Sequence, residues 1–481
     1  MSAEPLWTVE AMTAAMRAVR AGALPASVPG LSIDSRTLRP GEAYFAIKGD
    51  VHDGHAFVAK ALEAGAGLAV VAEEKRGVMP TDAPLLVVSD VLEAMAALGR
   101  AARARSAAKV VAVTGSVGKT STKEALRLAL AREGETHASV ASFNNHWGVP
   151  LSLARLPERA QFAVFEIGMN HAGEITPLAR LVRPHVAIVT AVEPVHLEFF
   201  GSLEAIADAK AEIFLGLEPD GAAVLNRDNP QFARMEMHAA AAGVARVVSF
   251  GEHAKADARL LKCSLQAESS TVEADILGQR VTYKLGAPGR HLVMNSLAVL
   301  AAANLVGADL ALVALALTGL EPAQGRGTRI TLELPGGTAL LIDESYNANP
   351  TSMRAALALL GQSPVGPRGR RIAVLGDMLE LGPAGEKLHR GLVQAVKDNA
   401  IDLVFCAGPL MAALWKALPS ERRGGYAGTA GELEADVVVA IGSGDAVMVK
   451  GSLGSRMGPI VKALARRYAP GGTPAAAPAQ G

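Results

Sequence analysis

The stretch Thr114-Gly115-Ser116-Val117-Gly118-Lys119-Thr120-Ser121 sets a lysine and two hydroxyls directly behind a pair of glycines. That combination suits a phosphate. Backbone N–H groups of a tight turn face the anion, Lys119 adds a point charge, and the Thr120 hydroxyl can reach a magnesium ion. The full pattern G-x-x-x-x-G-K-[ST] wants glycine where Val113 stands, so the motif is a shortened form, with an ordinary strand-to-helix turn as the alternative. Three further residues could serve a metal. Glu166 closes the apolar run Ala163-Val164-Phe165, and His196 follows the run 186–190 after a short turn. Each alone also reads as a strand-end carboxylate or a satisfied histidine; beside a phosphate loop they become candidate ligands. Lys210 is the third. It falls in the apolar stripe Leu203, Ile206, Ile213, Phe214, Leu217, on the face that helical spacing buries. Its stem could snorkel to solvent, and a protonated lysine cannot ligate a metal. A carbamate formed with carbon dioxide would supply oxygen ligands, although spacing alone does not establish one.

These groups need elements to hold them. The run Val110-Val111-Ala112-Val113 reads as a buried strand, and 120–132 has helix-forming composition. Open parallel sheets bind ligands beyond the carboxyl ends of their strands, where Glu166 and His196 would collect beside the loop. Ser202 is a plausible N-cap for the helix that carries Lys210. Ahead of the loop, a helix over 9–21, short apolar runs at 43–47, 68–71 and 85–88, and helices over 56–64 and 92–105 make a small α/β domain with a boundary near 107. Within it, Ser35 and Arg36 could hold a pyrophosphate or uridine, since arginine matches phosphate with a planar fork; a turn with a surface arginine is the alternative. Beyond the loop, 251–286 reads as an irregular β insertion, 295–305 as a helix and 325–328 as a second hinge. Runs ending at Asp343, Asp377, Cys406 and Lys450 then predict a second doubly wound sheet. Lys450, Ser452 and Met457 sit in a loop that could face a substrate or bind a simple anion. The tail 471–481, rich in Pro, Gly and Ala and without periodicity, is expected to be disordered.

Bulk properties narrow the class. The 481 residues suffice for about three domains. Lys plus Arg (47) equals Asp plus Glu (47), which gives no electrostatic reason to expect nucleic acid or an anionic membrane as partner. Cys263 and Cys406 are too few for a disulfide framework, so a reducing compartment is expected. The first residues carry acidic Glu4 and no apolar signal core, and the long apolar region 298–320 is interrupted by Asn304, Gly307 and Asp309. A soluble, cytoplasmic monomer without a membrane anchor is the expectation.

Several separate motifs, taken together and in order, resemble the Mur ligase family. They are the phosphate loop; Ser142-Phe143-Asn144-Asn145-His146-Trp147-Gly148-Val149-Pro150; Glu166-Ile167-Gly168-Met169-Asn170; His196-Leu197-Glu198 with Ala209-Lys210-Ala211-Glu212; Asp343-Glu344-Ser345-Tyr346-Asn347-Ala348-Asn349-Pro350; and Gly376-Asp377-Met378-Leu379-Glu380-Leu381-Gly382. The resemblance implies an α/β chain of three domains: a substrate domain at 1–106, a central ATP-binding P-loop domain with a doubly wound parallel sheet at 107–327, and a Rossmann-like ligase domain at 328–470. It implies ATP and magnesium as cofactors, with Thr120 and Glu166 on one ion and His196 with carbamylated Lys210 on a second. Lys119, His196, Lys210 and Arg326 would be catalytic. Asn295 would contact adenine, Arg326 the phosphates, with Arg329 the competing choice, and Asp343 and Tyr346 would bring the last domain to the nucleotide. The Asn144–Asn145 pair and Tyr346-Asn347-Ala348-Asn349 match the member that joins D-alanyl-D-alanine to UDP-N-acetylmuramoyl-tripeptide, so Asn144, Asn145, Ser35, Arg36 and Lys450 are the substrate-binding candidates. The implied reaction activates a carboxylate as an acyl phosphate and lets an amine displace the phosphate. The competing readings are a sister ligase adding a diamino acid to the dipeptide precursor, folylpolyglutamate synthase, and a nucleotide switch with no ligase activity.

Overall fold

The strand that feeds the phosphate loop, Lys109–Thr114, lies inside a nine-stranded sheet between Val186–Val189 and Phe162–Glu166, parallel to both. Val110 to Val113 are fully buried, as a β-branched run flanked on both faces requires. In the register, Glu166 lies beside Val113 and Val189 beside Thr114, so Glu166 and the loop leave the sheet at the same edge. The computed structural model describes residues 5–49, 52–140, 142–195, 197–322 and 325–469. His196 and the tail 471–481 lie outside the described residues.

From Val186–Val189 the sheet continues through Ala222–Asn226 and Arg246–Gly251, all parallel. Ala258–Leu265 still adds in parallel, and Ser270–Ile276 and Gln279–Leu285 then continue antiparallel, which completes the expected β insertion. The helix Arg290–Leu305, carrying Asn295, crosses this half. A separate six-stranded sheet runs in the order Thr328–Leu334, Gly337–Glu344, Ala446–Lys450, Arg371–Gly376, Leu403–Ala407, Arg423–Ala427, antiparallel only at its first pair. Among the described residues no helix is long and apolar enough to cross a membrane.

The N-terminal region holds a five-stranded sheet and departs from expectation at its first helix. The helix ends at Met16, because Arg17 takes the left-handed conformation (φ 52°) and closes it with bonds from Arg17 N to Ala14 O and Ala18 N to Thr13 O. Val19–Ala21 then pairs as an edge strand with Leu85–Val88, a β-branched start to a segment that composition alone would have left helical. The joint at 107 also holds more than a linker. Trp7, Met12 and Leu98 share one apolar cluster with Leu151, Leu153 and Ile175 of the central region. Trp7 Nε1 donates to Ala154 O at 2.8 Å, and the Arg105 guanidinium lies 3.5 Å from the Trp7 ring centroid.

His137 makes the central sheet acid-sensitive. Its Nε2–H donates to Ser152 O at 2.7 Å, and burial pushes its pKa from 6.5 down to about 4. Above pH 6.5 neither the folded nor the unfolded chain is protonated there; as the pH falls from 6.5 to 4 the unfolded chain takes the proton first. Stability at this position is therefore lost across that window, by about 3 kcal/mol. Urea melts at stepped pH are expected to show this slope in the native protein and a flatter one in His137→Gln.

Candidate active site

Gly115 (φ 147°) and Gly118 (φ 82°) let the loop turn where side chains could not follow. A Cβ at Gly115 would collide with Thr190 Oγ1, which donates to Val117 O at 2.6 Å and braces the loop from the neighbouring strand. One at Gly118 would meet the Asn295 amide, so Asn295 lies directly over the loop. The helix Lys119–Leu130 begins without a side-chain cap, leaving its first N–H groups for a ligand. Gly115→Ala is expected to weaken binding of ADP more than tenfold, read by calorimetry, because the strained φ costs about 1–3 kcal/mol and Thr190 must move.

Glu166 lies fully buried beneath the loop with both oxygens held. Thr120 Oγ1 donates to Oε2 at 2.8 Å, and Asn144 Nδ2 donates to Oε1 at 2.7 Å. Asn144, expected to face substrate, thus also orients the carboxylate. Asn145 Oδ1 accepts from Gly148 N at 2.9 Å and fixes the turn into the helix Gly148–Ala154. Lys119 Nζ donates to Gly115 O at 2.8 Å. Burial lowers its pKa, the Glu166 charge pulls it back up and Arg326 pushes it down. Lys210, 2% exposed, does not snorkel: burial holds its pKa well below the usual lysine value, the charge of Lys119 adds to the shift, and it has no hydrogen-bond partner among the described residues.

The loop opens into a cavity of about 490 Å³ between the central and C-terminal sheets. Ser116, Val117, Gly118, Lys119, Ser121, Asn144, Asn145, Glu166 and Asn295 line one side; Arg326, Glu344, Tyr346, Asn347, Thr351 and Lys450 line the other. Arg326 stacks over the Tyr346 ring at 4.3 Å, whereas Arg329 points away with a buried, unpartnered Nε. The geometry therefore selects Arg326 of the two arginines as the one in the cavity. Lys450 Nζ donates to Glu344 Oε2 at 3.1 Å and Asn347 O at 2.9 Å.

Three expected site residues lie outside this cavity. The Asp343 carboxylate does not line the cavity; it accepts from Ser345 N (3.0 Å) and Oγ (2.6 Å), shaping the turn that presents Tyr346. Ser35 and Arg36 lie outside it too. Arg36, its side chain 80% exposed, pairs with Asp34 at 2.7 Å, and that hydrogen bond lowers the Asp34 pKa. Conversely, His291 and Glu193 line the cavity without having been singled out. His291 opens the helix of Asn295, and burial lowers its pKa against the opposing charge of Glu344. Its position four residues before Asn295 on the same helix face was the available signal.

Comparison with known proteins matches three family models along the chain. Residues 27–104 match the Mur ligase family catalytic domain, 113–303 the Mur ligase middle domain and 325–453 the Mur ligase glutamate ligase domain. The UDP-N-acetylmuramoyl-tripeptide–D-alanyl-D-alanine ligase of Escherichia coli is 36% identical over 79% of this chain and 82% of its own, and that of Rickettsia prowazekii 31% identical over 90% and 94%. Among solved structures, MurF from Acinetobacter baumannii superposes with a TM-score of 0.81 at 30% identity, covering 96% of this chain and 99% of its own. MurF ligase from Thermotoga maritima in complex with ADP gives 0.72 at 25% identity, covering 90% and 96%.

Proposed function

The chain belongs to the Mur ligase family, and we propose that it joins D-alanyl-D-alanine to the terminal carboxylate of UDP-N-acetylmuramoyl-tripeptide at the expense of ATP, a cytoplasmic step of peptidoglycan precursor synthesis. The observation that carries the reading is the pairing of Thr120 with Glu166 under an uncapped helix N-terminus, facing Arg326 and Lys450 across one cleft.

The polyphosphate of ATP lies along the loop from Gly115 to Ser121, with adenine against Asn295 and Tyr346 closing from the C-terminal side. Thr120 and Glu166 offer hard oxygens beside that anion, the donor type magnesium takes, and both are already held in place. His196 and Lys210, the latter as a carbamate, are assigned to a second ion. Magnesium, when bound, neutralises the phosphate oxygens and aligns the γ-phosphoryl group for transfer. Lys119 turns from Gly115 O to the transferring group, and Arg326 meets the same charge from the opposite wall. The substrate carboxylate takes the γ-phosphoryl group and ADP leaves; the dipeptide amine attacks the resulting acyl phosphate and loses a proton, and the tetrahedral intermediate expels phosphate to leave the amide. A site enclosed between two domains keeps water from that labile mixed anhydride. Asn144, Asn145 and Lys450 are assigned to the peptide ends, and Ser35 and Arg36 to the uridine diphosphate. Asp343 acts through the Ser345 turn. The domain limits 1–106, 107–327 and 328–470 belong to the same reading.

Phosphate release from ATP and magnesium tests the assignment. It is expected to require UDP-N-acetylmuramoyl-tripeptide and D-alanyl-D-alanine together. Release with the dipeptide precursor plus a diamino acid would move the chain to the sister ligase, and release indifferent to either pair would overturn ligase activity.

A further inference from the structure

Ser116, inside the phosphate loop, is gripped by the segment that follows strand Val186–Val189. Its N–H donates to Ala191 O at 2.8 Å, its Oγ donates to Glu193 O at 3.0 Å, and Glu193 N donates to Ser116 Oγ at 2.9 Å. The backbone of Glu193 is thereby part of the loop's wall. Its side chain reaches the other way. Glu193 Oε2 accepts a hydrogen bond from Thr351 Oγ1 at 2.8 Å, across 158 residues of sequence and between the two domains that form the cleft. Thr351 is in the first turn of the 13-residue helix Pro350–Gln362, so the carboxylate also sits at the positive end of that helix.

We infer that Glu193 and Thr351 form a latch through which docking of the C-terminal domain and the phosphate-ready shape of the loop stabilise each other. Neither residue is assigned a contact with the reacting atoms; both are positioning residues. The physical content is linkage. If the docked helix favours the loop conformation that binds phosphate, phosphate at the loop favours docking by the same factor. A hydrogen bond to a charged acceptor is strong enough to matter, whereas a bond between two neutral groups at the rim of a cleft would add little. The bond also joins the domains next to the chemistry, so the cleft cannot open there without releasing Glu193. The proposal rests on the ligase reading only in taking ADP as a ligand of the loop.

ADP affinity by calorimetry and domain separation by small-angle scattering test it, and neither needs the organic substrates. Failure of the ligase reading would show instead in the phosphate-release controls. Thr351→Val and Glu193→Ala are each expected to weaken ADP about tenfold and to give a larger radius of gyration with ADP present. The double variant is expected to be no weaker than either, because both remove one bond. Thr351→Ser, which keeps the hydroxyl, is expected to bind as the native protein does, which separates the lost bond from local packing. Unchanged ADP affinity in both single variants, or losses that multiply in the double variant, would overturn the latch.

Discussion

Lys119→Ala is expected to lower the rate of phosphate release at saturating substrates by about a thousandfold, the scale on which removing one preorganised charge from a transferring group acts. The size follows from where the lysine sits. Its half-buried ammonium donates to the Gly115 carbonyl, desolvation already lowers its pKa, and the Glu166 charge opposes that shift. An incoming phosphate resolves this tension more fully as charge builds on its oxygens, so the interaction is worth more in the transition state than in the bound nucleotide. Calorimetry should therefore find ADP affinity reduced far less than the rate. Lys119→Arg is not expected to restore it, since a planar fork does not fit a turn built around a compact ammonium. Equal losses in affinity and rate would show that Lys119 only binds.

Much of this site was legible because it depends on neighbours in sequence. A β-branched run, two glycines and a lysine specify strand, turn and helix locally, and an acidic residue closing the run 163–165 must leave the sheet at the same edge as the loop. What spacing does not show is which partner already holds each side chain, whether that partner is two residues away or far along the chain. Asp343 ends a strand as Glu166 does, yet its carboxylate is taken up by the Ser345 turn. Arg36 has the fork for a phosphate, and Asp34 two residues away occupies it. The choice between Arg326 and Arg329 needed the Tyr346 ring, which no spacing could place. The sequence places only a boundary near 107, where Trp7 and Arg105 in fact join a core shared with Leu151 and Ile175. Closure of the cleft is accordingly expected at the joint at 325–328, where the segment carries Gly325 and Gly327 at positive φ.

Lys210→Ala is expected to cost a hundredfold or more in rate, about what removing one charge from the reacting group's surroundings costs, and to be rescued in part by formate or acetate, which place a carboxylate where the carbamate would lie. An ammonium 2% exposed, without a hydrogen-bond partner among the described residues and near the Lys119 charge, is a poor occupant of its own site. Both influences, burial first and the neighbouring cation second, favour the neutral amine. A neutral amine attacks carbon dioxide: its nitrogen bonds to the carbon, one proton leaves, and an anion replaces a potential cation. The repulsion with Lys119 then becomes attraction, and two anionic oxygen donors appear where a single amine nitrogen would otherwise stand. Lys210→Arg, which keeps the cation and cannot react, is expected to be as poor as alanine and not to respond to formate. Labelling with ¹³C-bicarbonate supplies a readout apart from activity, a carbamate carbon resonance present in the native protein and missing from Lys210→Ala. Full activity in Lys210→Ala, or native protein with no such resonance and no loss of activity in carbon-dioxide-free buffer, would remove the carbamate from the mechanism and leave Lys210 a buried lysine tolerated at the cost of stability.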